Sequence, residues 1–382
     1  MLPRLARACP VLLLALAVVA NAAPPLPAEH LEIARMPARS PHWIYVFDEI
    51  LASQTDSRIY VYDGDAHREL GQIDAGYWAN FNVSPDGRTT AVATTYLSRG
   101  SRGTRTDVLE LTDNATLTVT GEVVLPPKRA NTLPTAYNVS FSADQHFVYS
   151  TNLTPAASFT VVDLAKAAVA GEIDTDGCVL AIPSAQRRVS SLCENGRLLT
   201  VILDDSGHET ARSVSAPFFN IDRDPVFAQG VPVPAGVLFL SFLGDVYQAD
   251  LSGAEPKFTA PWPLVSAQQR GHWRPGGQQV AAYQPHTKRL YVPMHRGADG
   301  SHKDGGTEIW VFDTATRKRL ARWPVNTPLY GPVLATQVSQ DEQPLLFVTT
   351  ENGALLLMNA ASGHVEHVEP KFGQSLWYLI NP

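Results

Sequence analysis

A short apolar segment recurs along the chain. Each copy ends on an acidic or amide residue, and polar stretches separate the copies. One copy reads EIWVFD and ends at Asp313. Segments of this kind are rich in β-branched and aromatic residues, which favour pleated strands over helices. The spacing of the copies averages about 49 residues, which is typical of repeat architectures built from short strands. Seven copies end, in chain order, at Asp63, Asp113, Asp163, Asp204, Asp250, Asp313 and Asn359.

A second pattern precedes several of these segments. A serine and a turn that contains Asp lead into a β-rich run in residues 82–95, 140–152 and 337–350. Ser and Asp suit tight turns because their side chains bond nearby backbone groups. Each unit therefore reads as strand, turn, strand, loop and a strand that ends on Asp. A further copy, WIYVFD ending at Asp48, lies only 15 residues before the first, and we interpret it as the neighbouring strand of one hairpin.

The repeat predicts an all-β fold, and specifically a seven-bladed β-propeller over residues 41–382. The strands are apolar on both faces, as in Ile309 to Phe312. This pattern is expected for blades that are covered on each side by a neighbouring blade. Several β-sandwich domains are the rival interpretation, but they would not explain the regular spacing.

The N-terminal residues predict export. Residues 1–22 contain Arg4 and Arg7, then an apolar run, then small residues suited to cleavage. This is the order of a secretory signal peptide. We expect a signal peptide over 1–22, an N-terminal extension over 23–40 and a periplasmic location, with an uncleaved anchor as the alternative. Loss of 1–22 leaves 28 basic against 37 acidic residues, a charge that does not suit nucleic-acid binding.

Two cysteines, Cys178 and Cys193, would remain after this cleavage. An even pair in an oxidising compartment predicts a disulfide. The bond would close a loop of about 15 residues, worth roughly 3 kcal/mol in the chain-entropy model. Two buried thiols are the alternative.

The sequence lacks the common motifs of self-contained catalysis. It has no haem-attachment CXXCH, no GXSXG elbow, no HEXXH, no P-loop and no dinucleotide fingerprint. His286, His295 and His302 are spaced by 9 and 7 residues, which is not a standard metal spacing, and we interpret them as loop histidines. We therefore predict no catalytic and no metal-binding residue in this chain. Because propellers carry many functions, a binding scaffold and an enzyme subunit both stay open at this point.

Several longer segments resemble a known family. They include TTYLSRGSRGTRTDVLEL at 94–111, the segment 177–201 with both cysteines, and WRPGGQQVAAYQPHTKRLYVPMH at 273–295. HKDGGTEIWVFDTATRKRLAR at 302–322 follows. In this order they resemble the heavy (α) subunit of quinoprotein amine dehydrogenases, and more closely the aromatic amine dehydrogenase type than the methylamine type.

The resemblance implies a non-catalytic chain of an amine dehydrogenase, an oxidoreductase that acts on CH–NH2 donors. The complex would convert primary, aromatic amines to aldehyde and ammonia. The cofactor, tryptophan tryptophylquinone, would lie on a separate light (β) subunit in an α2β2 heterotetramer. A blue-copper protein of the azurin or amicyanin kind would accept the electrons, and neither nucleic acid nor membrane is an expected partner. The family's heavy chain is a seven-bladed propeller, and its disulfide matches Cys178 and Cys193.

One residue of the substrate channel is also implied by the resemblance. The family's heavy chain inserts an aromatic residue into the channel a few residues past the Asp that ends the first hairpin strand. Counted from Asp48, the matching position is Leu51. Either the channel is wider and serves a different amine, or the register differs by one residue. A core leucine is the alternative.

Two other functions remain compatible with the sequence. The first is a stand-alone exported β-propeller that binds a ligand or partner and has no catalytic activity. The second is a propeller enzyme with its own metal or acid site.

Overall fold

The computed structural model describes residues 34–185, 187–325 and 327–382. The described residues contain no α-helix, and Arg35–Pro382 form one unit by their contacts. The predicted signal peptide and most of the predicted N-terminal extension lie outside the described residues. No helix in the described part of the chain is long and apolar enough to cross a bilayer. The 3-10 turns are Leu51–Ser53, Ala136–Asn138 and Ser301–Lys303.

The strands, numbered in chain order, have the following bounds: β1 Trp43–Asp48, β2 Ser57–Asp63, β3 Arg68–Val83, β4 Thr89–Leu97, β5 Arg105–Asp113, β6 Thr118–Leu125, β7 Val139–Phe141, β8 Phe147–Asn152, β9 Ser158–Asp163, β10 Ala168–Asp174, β11 Cys178–Ser184, β12 Arg188–Cys193, β13 Leu198–Leu203, β14 Glu209–Val214, β15 Val231–Val233, β16 Gly236–Leu240, β17 Asp245–Asp250, β18 Lys257–Phe258, β19 Trp262–Pro263, β20 Trp273–Pro275, β21 Ala282–Gln284, β22 Arg289–Arg296, β23 Glu308–Asp313, β24 Lys318–Pro324, β25 Val333–Val338, β26 Leu345–Thr350, β27 Leu355–Asn359, β28 Val365–Glu369 and β29 Leu376–Ile380.

These strands form six antiparallel sheets. The first has seven strands in the order β29-β1-β2-β3-β4-β5-β6. The next two have four strands each, β10-β9-β8-β7 and β11-β12-β13-β14. Then come β15-β16-β17-β18 with β19 on β17, β20-β22-β23-β24 with β21 on β22, and β25-β26-β27-β28. The prediction of an all-β protein is confirmed.

The first sheet is longer than the others because β3 serves two sets of partners. Its first part, residues 68–76, pairs with β2, and its second part, residues 77–83, pairs with β4. Between them the backbone leaves the extended conformation, with φ of +64° at Gly76 and +44° at Trp78. Glycine reaches positive φ at no steric cost, so Gly76 suits the bend, which Trp78 shares. Because β3 is shared in this way, the structure has six sheets, and the count of seven blades stays a prediction.

The two ends of the described chain meet in the first sheet. β29 pairs with β1, whose other edge pairs with β2 in the predicted hairpin. The Asp48 carboxylate accepts hydrogen bonds from the backbone N–H of Gln374 at 3.0 Å and of Ser375 at 2.6 Å. The pairing therefore joins strands that are more than 300 residues apart.

The strand-ending residues predicted from the repeat do cap turns. Asp63 Oδ1 accepts from the backbone N–H of Asp65 and Ala66, at 2.9 and 3.0 Å. The other copies accept in the same way, two to four residues onward: Asp113, Asp163, Asp204, Asp250, Asp313 and Asn359. The serines of the second pattern also behave alike. Each donates to the Asp two residues later at 2.6 Å: Ser84 to Asp86, Ser142 to Asp144, and Ser339 to Asp341.

The core lies between neighbouring sheets. The strand β1 is buried at every position, and so is β26. One apolar cluster joins β22 and β23 to β25, β26 and β27, and another joins β8 and β9 to β11, β12 and β13. Ile309 to Phe312 are at most 1% exposed, as the two-sided apolar pattern predicts. Covering both faces of each sheet is what allows such strands to be apolar throughout.

Candidate functional site

The loop after β1 forms one wall of a cleft of about 660 Å³. Ile50 is buried, and the next residue, Leu51, begins a 3-10 turn held by the Ser53 N–H to Ile50 carbonyl bond at 2.8 Å. The Leu51 side chain is 48% exposed, which excludes a place in the core. The structure thus places Leu51 on the wall of a cleft.

The opposite wall comes from the second part of the first sheet and from the connection after β6. The cleft contains one aromatic side chain among its described lining residues, that of Tyr77. Sequence reasoning missed Tyr77, which lies at the bend of β3. The lining residues are Leu51, Ala52, Ser53, Gln54, Thr55, Tyr77, Thr95, Leu97, Ser101, Arg105 and Asn131.

A buried arginine, Arg129, holds the bend of β3 in place next to this cleft. Its guanidinium donates to the carbonyl of Tyr77 at 2.6 Å and of Trp78 at 2.7 Å. It also donates to Thr95 Oγ1 at 2.9 Å and to the carbonyl of Ala130 at 3.1 Å. Arg129 is 2% exposed, and this burial lowers its pKa to about 10. Because the guanidinium bonds chiefly to backbone carbonyls, it fixes the shape of the cleft wall.

An ion pair, Asp107 with Arg105, lies beside Arg129. Asp107 is buried and accepts from Arg105 Nε at 2.7 Å and Nη2 at 2.6 Å. It accepts from Thr95 Oγ1 at 2.7 Å as well, and its Oδ1 lies 4.0 Å from Arg129 Nε. Buried charges need such paired, hydrogen-bonded surroundings. The network therefore ties β4, β5 and the Arg129 segment together beneath the cleft.

Glu49, between Asp48 and the Leu51 turn, carries a carboxyl that is only partly satisfied. It is fully buried; Oε2 accepts from Ser57 Oγ at 3.0 Å, and Oε1 has no partner among the described residues. Burial raises the pKa of Glu49 to about 7, with Ser57 and Arg129 acting in the opposite direction. The group thus changes charge near neutral pH.

A second cavity, of about 520 Å³, lies where segments from all six sheets converge. Its amide side chains are used to hold backbone. Gln279 donates to the carbonyl of Leu379 at 3.1 Å and accepts from the same residue's N–H at 2.7 Å. Asn82 donates to the carbonyls of Ala136 and Val139 at 3.1 and 3.0 Å. These bonds link different sheets around the cavity.

The two cysteines form the expected disulfide. Cys178 starts β11, Cys193 ends β12, and the two residues are direct partners in the strand register. Both are buried. The bond therefore joins two strands that are already paired.

The described residues offer no ready-made metal centre. No group of three or more His, Cys, Asp or Glu side chains in the described part of the chain could hold a metal ion. The interpretation of all three histidines as loop residues is wrong for His295, which lies within β22 and is 2% exposed. His302 lies on a 3-10 turn, with its ring stacked on Phe242 at 3.9 Å.

The fold is that of an all-β protein with six antiparallel sheets, and its first sheet carries the cleft at Leu51 and Tyr77. The family model for the methylamine dehydrogenase heavy chain matches residues 41–375. The chain belongs to the methylamine dehydrogenase heavy-chain family.

Curated relatives carry the same description. The methylamine dehydrogenase heavy chain of Methylobacillus flagellatus is 28% identical over 311 residues, covering 80% of this chain and 76% of the relative. That of Methylophilus methylotrophus is 27% identical over 335 residues, covering 87% and 81%. That of Paracoccus versutus is 26% identical over 335 residues, covering 87% and 77%. The predicted resemblance to amine dehydrogenase heavy subunits is confirmed for the family, and the closer likeness to the aromatic type stays a prediction.

Two solved structures share the fold at low identity. Dihydro-heme d1 dehydrogenase NirN matches with a TM-score of 0.56 and 17% identity, covering 88% of this chain and 66% of that one. A proposed 6-phosphogluconolactonase from Bacteroides uniformis matches with a TM-score of 0.59 and 11% identity, covering 87% and 97%. At these identities the likeness concerns the fold alone.

Proposed function

We propose that this chain is the heavy subunit of a periplasmic amine dehydrogenase that oxidatively deaminates primary, aromatic amines to aldehyde and ammonia. The observation that carries the proposal is the family match over residues 41–375. The cleft at Leu51 supports it, because the position matched to the family's channel residue lies on the wall of a cleft. Tryptophan tryptophylquinone on a separate light subunit would supply the carbonyl chemistry that accepts the amine.

The proposal includes a seven-bladed propeller closed by its terminal strands. The two parts of β3 supply the outer strand of one blade and the inner strand of the next, which turns the seven-stranded sheet into two four-stranded blades. The remaining five sheets supply one blade each. Pairing of β29 with β1 closes the ring, and the converging segments of the 520 Å³ cavity support a central channel.

The light subunit would dock on the end of the sheets that carries the cleft. In an antiparallel sheet, the turn between the second and third strands lies at the same end as the connection to the next sheet. Leu51 lies in such a turn, and three further exposed leucine or isoleucine side chains lie in such connections. They are Leu133, Ile221 and Leu329. Exposed apolar side chains gathered at one end are what a partner chain would cover.

Within the complex, this chain would shape the entrance to the reaction site. Leu51 would form an aliphatic wall, and Tyr77 would offer the ring that Leu51 lacks. An aromatic substrate could stack on that ring, a contact worth roughly 0.5–1.5 kcal/mol. Arg129 would keep the cleft wall rigid. A light subunit that covers the cleft would exclude water from it.

A purification under native conditions tests the proposal. The tagged chain, isolated from its own host, should bring with it a small cysteine-rich chain in an α2β2 assembly. The complex should absorb visible light and lose that absorption on addition of phenylethylamine. A blue-copper protein should then restore it. A colourless single chain that ignores both phenylethylamine and methylamine would overturn the proposal and leave a stand-alone exported propeller.

A further inference from the structure

Positive charge is concentrated in one segment of an otherwise acidic chain. Residues 270–322 contain ten Lys or Arg and four Asp or Glu, a net charge of +6. The whole chain carries −7, so the remaining residues carry −13. This segment forms the sheet of β20 to β24. A charge difference of this size creates a strong local field on one sheet.

The outermost strand of that sheet, β24, presents much of this charge. It pairs only with β23, so its other edge is unpaired by strands of the described chain. Lys318, Arg319 and Arg322 are exposed along it, and Leu320 between them is 52% exposed. The outermost strand of the next sheet, β28, reads VEHVE and carries acids instead. Basic side chains are thus a particular property of this edge.

The arginines of this edge are held on aromatic rings. The Arg319 guanidinium lies 4.3 Å from the centroid of Trp310, and that of Arg322 lies 4.8 Å from the same ring and 4.6 Å from Trp273. Arg296 lies 5.1 Å from Trp273. Both tryptophans are buried, with centroids 5.0 Å apart. Guanidinium groups stacked in this way keep their edges free to bind carboxylates and lose less freedom on doing so.

Most of this charge has no carboxylate of its own. Arg322 is paired with Glu308 at 2.7 Å. Arg319 donates to Gln269 Oε1 at 3.2 Å, and no ion pair joins Arg296, Lys318 or Arg319 to a carboxylate of the described chain. Burial and the neighbouring Arg322 lower the pKa of Arg319, and Glu308 acts in the opposite direction.

We propose that Arg296, Lys318, Arg319, Leu320 and Arg322 form a docking surface, the basic edge, for an acidic protein. Carboxylates of the partner would pair with the unpaired cations, Leu320 would contribute a small apolar anchor, and the free edge of β24 would offer backbone groups to an extended segment. The proposal stands independently of the proposed amine dehydrogenase function.

A binding experiment on the full chain tests the basic edge. The probe is a labelled 12-residue peptide of glutamates with one central leucine, titrated by fluorescence anisotropy at low and high salt. The test variant is Arg296→Gln/Lys318→Gln/Arg319→Gln. The control variant removes three exposed cations elsewhere on the chain, Arg68→Gln/Lys257→Gln/Lys371→Gln. Both have the same net charge, and circular dichroism verifies that both are folded.

The expected result is a loss of about tenfold in affinity for the test variant, because three charge contacts disappear. The control should change less than about twofold, and high salt should remove the difference. An equal loss in both variants would overturn the proposal, because binding would then follow net charge alone.

Two further arms separate other occupants. Vesicles of phosphatidylglycerol that bind the wild-type chain through the basic edge, while the peptide does not, would overturn the protein partner in favour of a lipid surface. Sedimentation that shows self-association lost only in the test variant would assign the surface to a second copy of this chain. Monomeric behaviour and no vesicle binding, with edge-dependent peptide binding, is the supporting result.

Discussion

The two ends of the sheets differ in the range of the contacts that hold them, as two aspartates of one hairpin illustrate. Asp63 ends β2 and caps its own turn through the N–H groups of Asp65 and Ala66. Asp48 ends β1 and binds N–H groups more than 300 residues away, at Gln374 and Ser375. The contacts at the turn end are local and recur along the chain, whereas the Asp48 contacts at the cleft end are long-range and occur once. The proposed function belongs to the cleft end, where contacts that occur once shape the cleft wall.

The largest expected difference in the free energy of unfolding comes from replacing one arginine at each end. Arg129→Met should lower the free energy of unfolding by about 3–5 kcal/mol, because it leaves the carbonyls of Tyr77 and Trp78 without donors in the interior. At the turn end, Arg187 is partly exposed and pairs with Asp144 and Asp205. Arg187→Met should cost about 1 kcal/mol or less. Urea unfolding of the two variants measures the difference, and equal losses would remove the distinction between the ends.

The next test uses pH at the cleft end. Burial raises the Glu49 pKa to about 7 from 4.5, so the folded chain holds this proton more tightly than the unfolded chain does. The stabilisation that comes from the protonated Glu49 carboxyl is complete below about pH 4.5 and is lost as the pH rises through 7. Glu49→Gln should therefore gain about 1–3 kcal/mol relative to the wild type between pH 5 and pH 8. Urea unfolding at both pH values measures this gain.

The control for Glu49 is Glu122, an exposed carboxyl on the outer strand β6. Glu122→Gln should follow the wild type at both pH values. If Glu49→Gln also follows the wild type, the buried carboxyl is not responsible for the pH dependence. Other groups near Glu49 that could contribute are Arg129, Asp48 and Tyr378.

A smaller effect is expected from the two aspartates themselves. Asp48→Asn should cost about 2 kcal/mol, because a buried charged acceptor of two N–H groups becomes neutral and keeps one acceptor oxygen. Asp63→Asn should cost about 0.5 kcal/mol, since Asn also caps such turns and does so naturally at Asn359. Thermal unfolding compares them, and a larger loss for Asp63 would reverse the proposed order.

The same contrast decides what could be predicted from the sequence. The Asp-capped turns were predictable because their partners lie two to four residues away and the pattern recurs seven times. Leu51 could be placed only through the family resemblance, and its neighbour Tyr77 was missed because the two are brought together by a bend at Gly76. Arg129 gave no signal, since its partners are backbone carbonyls about 50 residues away. The shared use of β3 was hidden for a similar reason: a strand that changes partners looks like one long strand.

The smallest expected effect concerns the cleft wall and rests on the proposed function. Leu51→Phe would restore an aromatic ring at a position that is half exposed, so folding stability should change little. In the amine dehydrogenase complex, the ratio of kcat/KM for phenylethylamine over methylamine should change by about two- to tenfold, the range given by one ring contact of roughly 0.5–1.5 kcal/mol. Val119→Phe is the matched control, because Val119 is 55% exposed on the outer strand β6 and lies outside the cleft. The direction of the change is informative. A rise means that a second ring joins Tyr77 in holding an aromatic substrate, and a fall means that the space left by Leu51 is already occupied by the substrate's own ring. An unchanged ratio, or the same change in both variants, would show that the wall of this cleft does not contact the amine.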